Sequence, residues 1–452
     1  MKGKSILFAV VLTVACAATG LSACKDHECS HFARYQIIQE ATCMEEGFAG
    51  DVCEVCGEIV GEMEVIPALP HDYGQDGICT VCGTPITPTK AELLTFRKLP
   101  DGTYSVAAKA DAVLMGELCI GAEYDGKQVS AIAENGFREI QTISGVFLAE
   151  GIRSIGDHAF YNCADLLSVR LPEGLLSIGE YAFQFDYALT AIELPDSLQE
   201  MRAGAFAQCG LKEITIPGSL AQLPERAFMS CTDLKTARLE EGVLSIGENA
   251  FGGCRSLEMF SAAEGLRTIG PDAFAEALSL TSVTLPDSVQ EIGTRAFYVC
   301  NFSSFRIPAG ITTIEAGVFM GTKLTSISIP TGVTAIGKEA FSGCPFLEEI
   351  HLPEGLTRIG EYAFFRCPAE TIVLPDTLET IEMFSFAESS IAYLTIPASV
   401  THIERLAFAS CQLLDRIYFE DPSGWEGIDA NKLSDPQQAA QELRNCVTDL
   451  VK

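Results

Sequence analysis

The stretch LLSIGEYAF at Leu175–Phe183 returns almost unchanged as LTRIGEYAF at Leu356–Phe364, 181 residues downstream. The same pattern recurs thirteen times, in repeats that start at 129, 152, 175, 198, 220, 243, 266, 289, 311, 333, 356, 378 and 400, always 22 or 23 residues apart. A segment that short cannot enclose a core of its own, so the repeats must stack and share one. This single feature excludes most folds.

Every repeat has the same internal logic, shown by Ile152–Gly174, IRSIGDHAFYNCADLLSVRLPEG. An apolar pair (Ile152, Ile155) precedes an Ala-Phe dipeptide; a Cys follows three residues later, and alternating Leu166, Val169 and Leu171 end in a Pro-Glu-Gly turn. Alternation closed by a turn predicts one short strand per repeat. The Phe stands at 137, 160, 183, 206, 228, 251, 274, 297, 319, 341, 364, 386 and 408, half of the chain's 26 phenylalanines. Stacking predicts that these rings form one buried column. At strand spacing, thirteen rungs make a rod roughly 60 Å long. Its first edge needs a cap, which Leu94-Thr95-Phe96 and Tyr104-Ser105-Val106, joined across LPDG, supply as a hairpin. A helix from Ser434-Asp435-Pro436, with Ala439, Leu443 and Val447 on one face, is expected to close the other end, and Trp425 is expected to pack there.

The pattern resembles the BspA-like leucine-rich repeats of bacterial cell surfaces, whose repeats read close to LPxxLxxIGxxAFxxCxxLxxI. The resemblance runs from Val129 to Pro422 and extends to the lead-in from Leu94 to Phe137. It implies a repeat solenoid, a BspA-type leucine-rich-repeat rod of thirteen repeats, with an adhesin-like role at the cell surface. Five repeats depart from the Cys column, with Ile140, Asp186, Ala277, Thr322 and Ser389 in its place.

Strand side chains alternate, so two columns must face outward in each strand. They are mostly small and hydroxylic, with Arg170, Arg238 and Arg306 scattered along them and Tyr393 and Tyr418 near the far end. These five are the expected partner-binding anchors, because interfaces rest on a few Arg and aromatic side chains. His351 and Glu349 share a face, but a nucleophile needs a base oriented by a third group, and no such set is visible; no catalysis is expected. The array cysteines Cys163, Cys209, Cys231, Cys254, Cys300, Cys344, Cys367 and Cys411 share one column and are read as small buried hydrophobes rather than disulfides.

Ahead of the array, Lys2 and Lys4 precede an apolar run from Ile6 to about Ala18, the layout of a secretory signal too short to span a membrane. Leu21-Ser22-Ala23-Cys24 resembles a bacterial lipobox, which implies cleavage after residue 23 and a lipid on Cys24 that anchors the exported chain to the cell membrane. Residues 24–83 hold two Cys-x-x-Cys-Gly knuckles, Cys53/Cys56 and Cys79/Cys82, at the spacing of a structural zinc ribbon. An alternative set is Cys43, Cys53, Cys56 and His71, with Cys79 and Cys82 joining His27, Cys29 or His31; disulfides are a third reading for an exported segment. A Pro/Thr spacer at 84–90, a capping segment at 91–128, the repeats at 129–422 and a terminal cap at 423–452 complete the expected organisation.

The 61 acidic against 30 basic residues, a net charge of −31, exclude general affinity for nucleic acid or anionic lipid. The expectation is a surface lipoprotein whose exposed sheet binds a protein or glycan of a host or neighbouring cell. The rival expectation is a structural spacer of the envelope that binds nothing.

Overall fold

The computed structural model describes residues 33–42, 45–54, 57, 59–60, 63–66, 78–79, 81–83, 86–414 and 416–420. The chain divides into two compact units, Met1–Thr84 and Pro85–Lys452. In the first, β1 (Ala33–Gln39), β2 (Gly47–Cys53) and β3 (Glu64–Ile66) form an antiparallel sheet with β2 in the middle. The expected helix after Ser434, and Trp425, lie outside the described residues.

The second unit is a solenoid. It opens on a hairpin of β4 (Leu94–Lys98) and β5 (Tyr104–Ala108), paired in register from Leu94 opposite Ala108 to Lys98 opposite Tyr104. The hairpin then passes its β5 edge, in parallel, to Lys127–Ile132, the strand that opens the array. The cap therefore converts an antiparallel edge into the parallel ladder of the repeats.

Ten of the thirteen repeats form the expected strand, such as Ser168–Arg170 or Thr236–Leu239. Every repeat also forms a second strand that its sequence does not announce, two residues long in all but the first, such as Ser154–Ile155 or Ser245–Ile246. Most repeats thus contribute a rung to two parallel sheets, and the one-strand expectation is corrected to two. The second strand is the LxxI step, too short for alternation to reveal.

Between the two strands the chain turns twice through left-handed backbone. In the repeat 152–174, His158 has φ +55° and Asn162 φ +56°, and the residue at each of these two columns is left-handed in all thirteen repeats. This geometry aims alternate N–H groups along the solenoid axis: those of His158, Phe160 and Asn162 donate to the carbonyls of Glu180, Ala182 and Gln184 at 2.7–2.8 Å. The turns hence carry a third backbone ladder with no strand in it, which satisfies groups that would otherwise be buried unpaired.

Inside the turns lie the phenylalanines. From Phe137 to Phe408 each ring stacks on the next, at centroid separations of 5.1–6.0 Å and interplanar angles of 1–13°. Phe137 to Phe386 are buried and belong to one apolar core with the repeat Leu and Ile residues. The array cysteines line the same core, and each thiol donates to a Phe carbonyl 25 or 26 residues earlier, from Cys163 to Phe137 (3.2 Å) through Cys411 to Phe386 (3.1 Å). They are free thiols, as expected, and also a hydrogen-bonded column. Burial pushes the Cys163 and Cys231 thiols up to about 12 and Cys344 to about 11.

Candidate interaction face

The longer strands expose one face. In Glu213–Ile216 and Thr236–Leu239 alternate side chains are buried, so Glu213, Thr215, Thr236 and Arg238 point outward while Ile214, Ile216, Ala237 and Leu239 enter the core. Register then places Thr215, Arg238 and Ser261 side by side, with Glu213, Thr236 and Met259 in the neighbouring row. These rows floor a trough of about 750 Å³ that reaches from Ile192 to Thr284. Hydroxyls predominate on it (Thr215, Thr236, Ser261, Ser282, Thr284) beside Met259, and Glu193, Asp196, Glu213 and Glu240 also line it. Arg238 is exposed and makes no ion pair among the described residues. A guanidinium with all five donors unspent, on a small-residue floor, is a fork awaiting a carboxylate or carbonyl.

The ladder is interrupted beside one end of the trough. The repeat 175–197 contributes no strand to this sheet, which passes from Ser168–Arg170 to Glu213–Ile216 without a rung. A second interruption falls at Ser303–Ile307, where a hollow of about 530 Å³ opens between Ser304, Arg306, Ser326 and Pro330. There Phe305 takes a position that Val169 or Ile214 fills elsewhere and packs 4.9 Å from both Phe297 and Phe319, with Phe302 beside it.

The other expected anchors are dispersed. Arg306 forks onto both carboxylate oxygens of Asp287 at 2.7 Å, and that pairing holds the exposed Asp287 carboxyl below its usual range. It is spent on its own chain. Arg170 is half-buried, its guanidinium 5.8 Å from the Phe147 ring. Tyr393 and Tyr418 are exposed, but Tyr393 stands seven repeats beyond Arg238, roughly 34 Å at strand spacing. Only Arg238 lines the trough. His351 and Glu349 are both exposed on their strand, as a solvated pair would be.

In the first unit the two knuckles share one geometry. Gly57 N–H donates to Cys53 O and Gly83 N–H to Cys79 O, both at 2.9 Å, with the glycines at φ +71° and +73°. A side chain at either glycine would be strained by that backbone, which is why each motif ends in Gly. Cys53 and Cys79 are buried and Cys82 is half-buried; Cys56, and the alternative ligands Cys43 and His71, lie outside the described residues. Among the described residues no three His, Cys, Asp or Glu side chains gather to hold a metal, so Cys53, Cys79 and Cys82 do not form a site by themselves.

One feature escaped the sequence reading. Tyr161, Tyr181, Phe185 and Tyr187 cluster with His158 on the turn edge at centroid separations of 5.4–6.0 Å, and Arg138 lies 4.6 Å over Tyr161. Tyr181 and Tyr362 are the tyrosines of the two duplicated nonapeptides, and both occupy the left-handed column.

Stacked turns, two parallel sheets and a shared Phe spine define a leucine-rich-repeat solenoid. More narrowly, the chain belongs to the BspA type leucine rich repeat family, whose model matches residues 125–235, 222–346 and 334–435. It is similar to a leucine-rich repeat protein from Bacteroides ovatus ATCC 8483, with 26% identity over 72% of this chain and 92% of that one and a TM-score of 0.59. It also matches a leucine rich cell surface protein from Faecalibacterium prausnitzii A2-165 (24% identity, 78% and 98% covered, TM-score 0.38) and the T. pallidum leucine rich repeat protein (24%, 47% and 89%, 0.37). No curated protein matches it. Among the described residues, no helix is long and apolar enough to cross a membrane.

Proposed function

We propose that this chain is a cell-surface lipoprotein, anchored through Cys24, that binds a protein or glycan partner on the strand face of its array, with the trough around Arg238 as the contact. The observation that carries the reading is the unpaired Arg238 on a hydroxylic floor within a trough of about 750 Å³. Membership of a leucine-rich-repeat family supports a scaffold role, since such solenoids present extended surfaces to partners. A built trough favours this over a spacer, whose outer face has no need of one.

The test is capture from matrix or serum proteins and glycans by the full chain, followed by Arg238→Glu and Arg306→Glu. Loss of a captured partner with Arg238→Glu and its retention with Arg306→Glu is expected, because only the first removes an unspent fork. Equal capture by both variants and the parent overturns the trough as the contact. No capture at all, with the chain displayed on protease-shaved cells, favours the envelope spacer.

A further inference from the structure

The Cys column is broken in the repeat 175–197 by a carboxylic acid. Asp186 is fully buried; its Oδ1 accepts the Cys163 N–H at 2.7 Å, while its Oδ2 has no partner. Neighbouring rungs show what the position demands. Cys163 donates to Phe137 O and Cys209 to Phe183 O, so the acceptor that faces position 186 by register is the carbonyl of Phe160. The protonated acid is neutral and carries an O–H where the neighbouring rungs carry an S–H; a carboxylate instead sets an unpaired negative charge in an apolar core.

The same place is one of two in the array where both sheets are interrupted together, the other lying between Ser282–Thr284 and Ser326–Ser328 and between Glu291–Ile292 and Thr313–Ile314. The longer-strand sheet is interrupted between Ser168–Arg170 and Glu213–Ile216, and the shorter-strand sheet between Glu200–Met201 and Gln222–Leu223. Across this seam the turn ladder continues, through Phe183 N–H to Ala205 O and Phe206 N–H to Ala227 O, together with the Phe column.

We propose that Asp186 makes this seam a pH-sensitive joint: closed while the carboxyl carries its proton, loosened when the proton leaves. The titratable groups that face Asp186 are the thiols of Cys163 from the preceding repeat and Cys209 from the following one, both themselves pushed up by burial, and Asp186 has no ion pair among the described residues. Desolvation resists its ionisation, so the folded carboxyl titrates above the unfolded one. The stability it contributes is complete below about pH 4, the unfolded value, and declines as pH rises toward the folded one. In a one-dimensional stack such a rung opens locally without unfolding its distant neighbours. The joint adjoins the wall of the trough at Ile192–Asp196 but does not depend on what the trough binds.

Hydrogen exchange by mass spectrometry on the full chain tests this, comparing peptides from 175–219 with those from 243–265 at pH 5.5 and 8.0 after correction for intrinsic rates. The reference repeat carries a thiol, Cys254, at the same column, so the ratio isolates the carboxyl. Protection of 175–219 relative to the reference is expected to be lower at pH 8.0 than at pH 5.5, because opening is favoured progressively over the pH range in which the open carboxyl is ionised and the closed one is not. Asp186→Asn and Asp186→Cys, which keep a neutral donor, are expected to abolish the fall. A ratio unchanged with pH in the parent chain overturns the proposal, and so does a fall that persists in either variant that folds.

Discussion

Val299 is the one β-branched residue in the two left-handed columns, and its replacement measures what those columns cost. Its φ is +57°, fixed by the rung that its N–H makes to Met320 O at 2.8 Å. Left-handed backbone costs an L-residue roughly 1–2 kcal/mol, and a β-branched one tolerates it worst. Asn occupies the same column at 162 and is among the side chains that enter this region most readily. Val299→Asn therefore relieves about 1–2 kcal/mol, offset by up to about 1 kcal/mol for the half-buried isopropyl group. A net stabilisation between about 0 and 2 kcal/mol is expected, toward the lower end because Asn keeps part of the left-handed cost. The mirror experiment is Gly343→Val, in the same column at φ +66°, where an added Cβ meets nothing within 4 Å. Space for the Cβ is thus removed as a cause, and the backbone predicts a loss of about 1–2 kcal/mol. Urea unfolding of the full chain, read as midpoints at constant m, gives both signs. Exchange protection of the 289–310 and 333–355 segments shows whether the change stays local. A destabilised Val299→Asn, or a neutral Gly343→Val, refutes the claim that this column selects for left-handed backbone.

Phe274 stacks at 5.3 Å on both Phe251 and Phe297 and is fully buried, so Phe274→Ala is expected to cost about 3–5 kcal/mol and to expose its neighbours to exchange. The array thiols are expected to resist a thiol reagent at pH 8 until the chain unfolds. Because burial raises Cys163 and Cys231 to about 12 and Cys344 to about 11, the stability these thiols contribute should be complete below about pH 8.5 and fall as pH rises from there toward those values, seen as a urea midpoint that drops with alkali. If the knuckles hold structural zinc, elemental analysis of chain purified under reducing conditions should find stoichiometric metal lost with Cys53→Ser or Cys79→Ser. Disulfides there would instead leave the metal absent and the thiols unreactive.

What the sequence disclosed, and what it withheld, follow from the range of the interactions. The Phe column, the buried Cys column and the Leu94–Val106 hairpin were legible because each is a residue type recurring at a fixed register, and stacking copies that register once per repeat. The left-handed columns were not, because thirteen different rungs fill them with Asn, Gly, Tyr, Arg, Glu and even Val. There the shared quantity is a backbone angle imposed by the ladder to the next repeat, and side-chain identity hardly reports it. Arg306 read as an anchor because its column points outward; only a carboxylate 19 residues back, Asp287, turns it inward on its own chain. Asp186 was visible as a substitution in the Cys column, yet its weight comes from two ladder interruptions, one in its own repeat and one beyond the next, that the substitution does not announce. A period shows where copies agree. Where this array departs from its period, at Asp186, Phe305 and Arg238, the structure opens hollows and seams, and those departures are where a repetitive chain has room for anything specific to do.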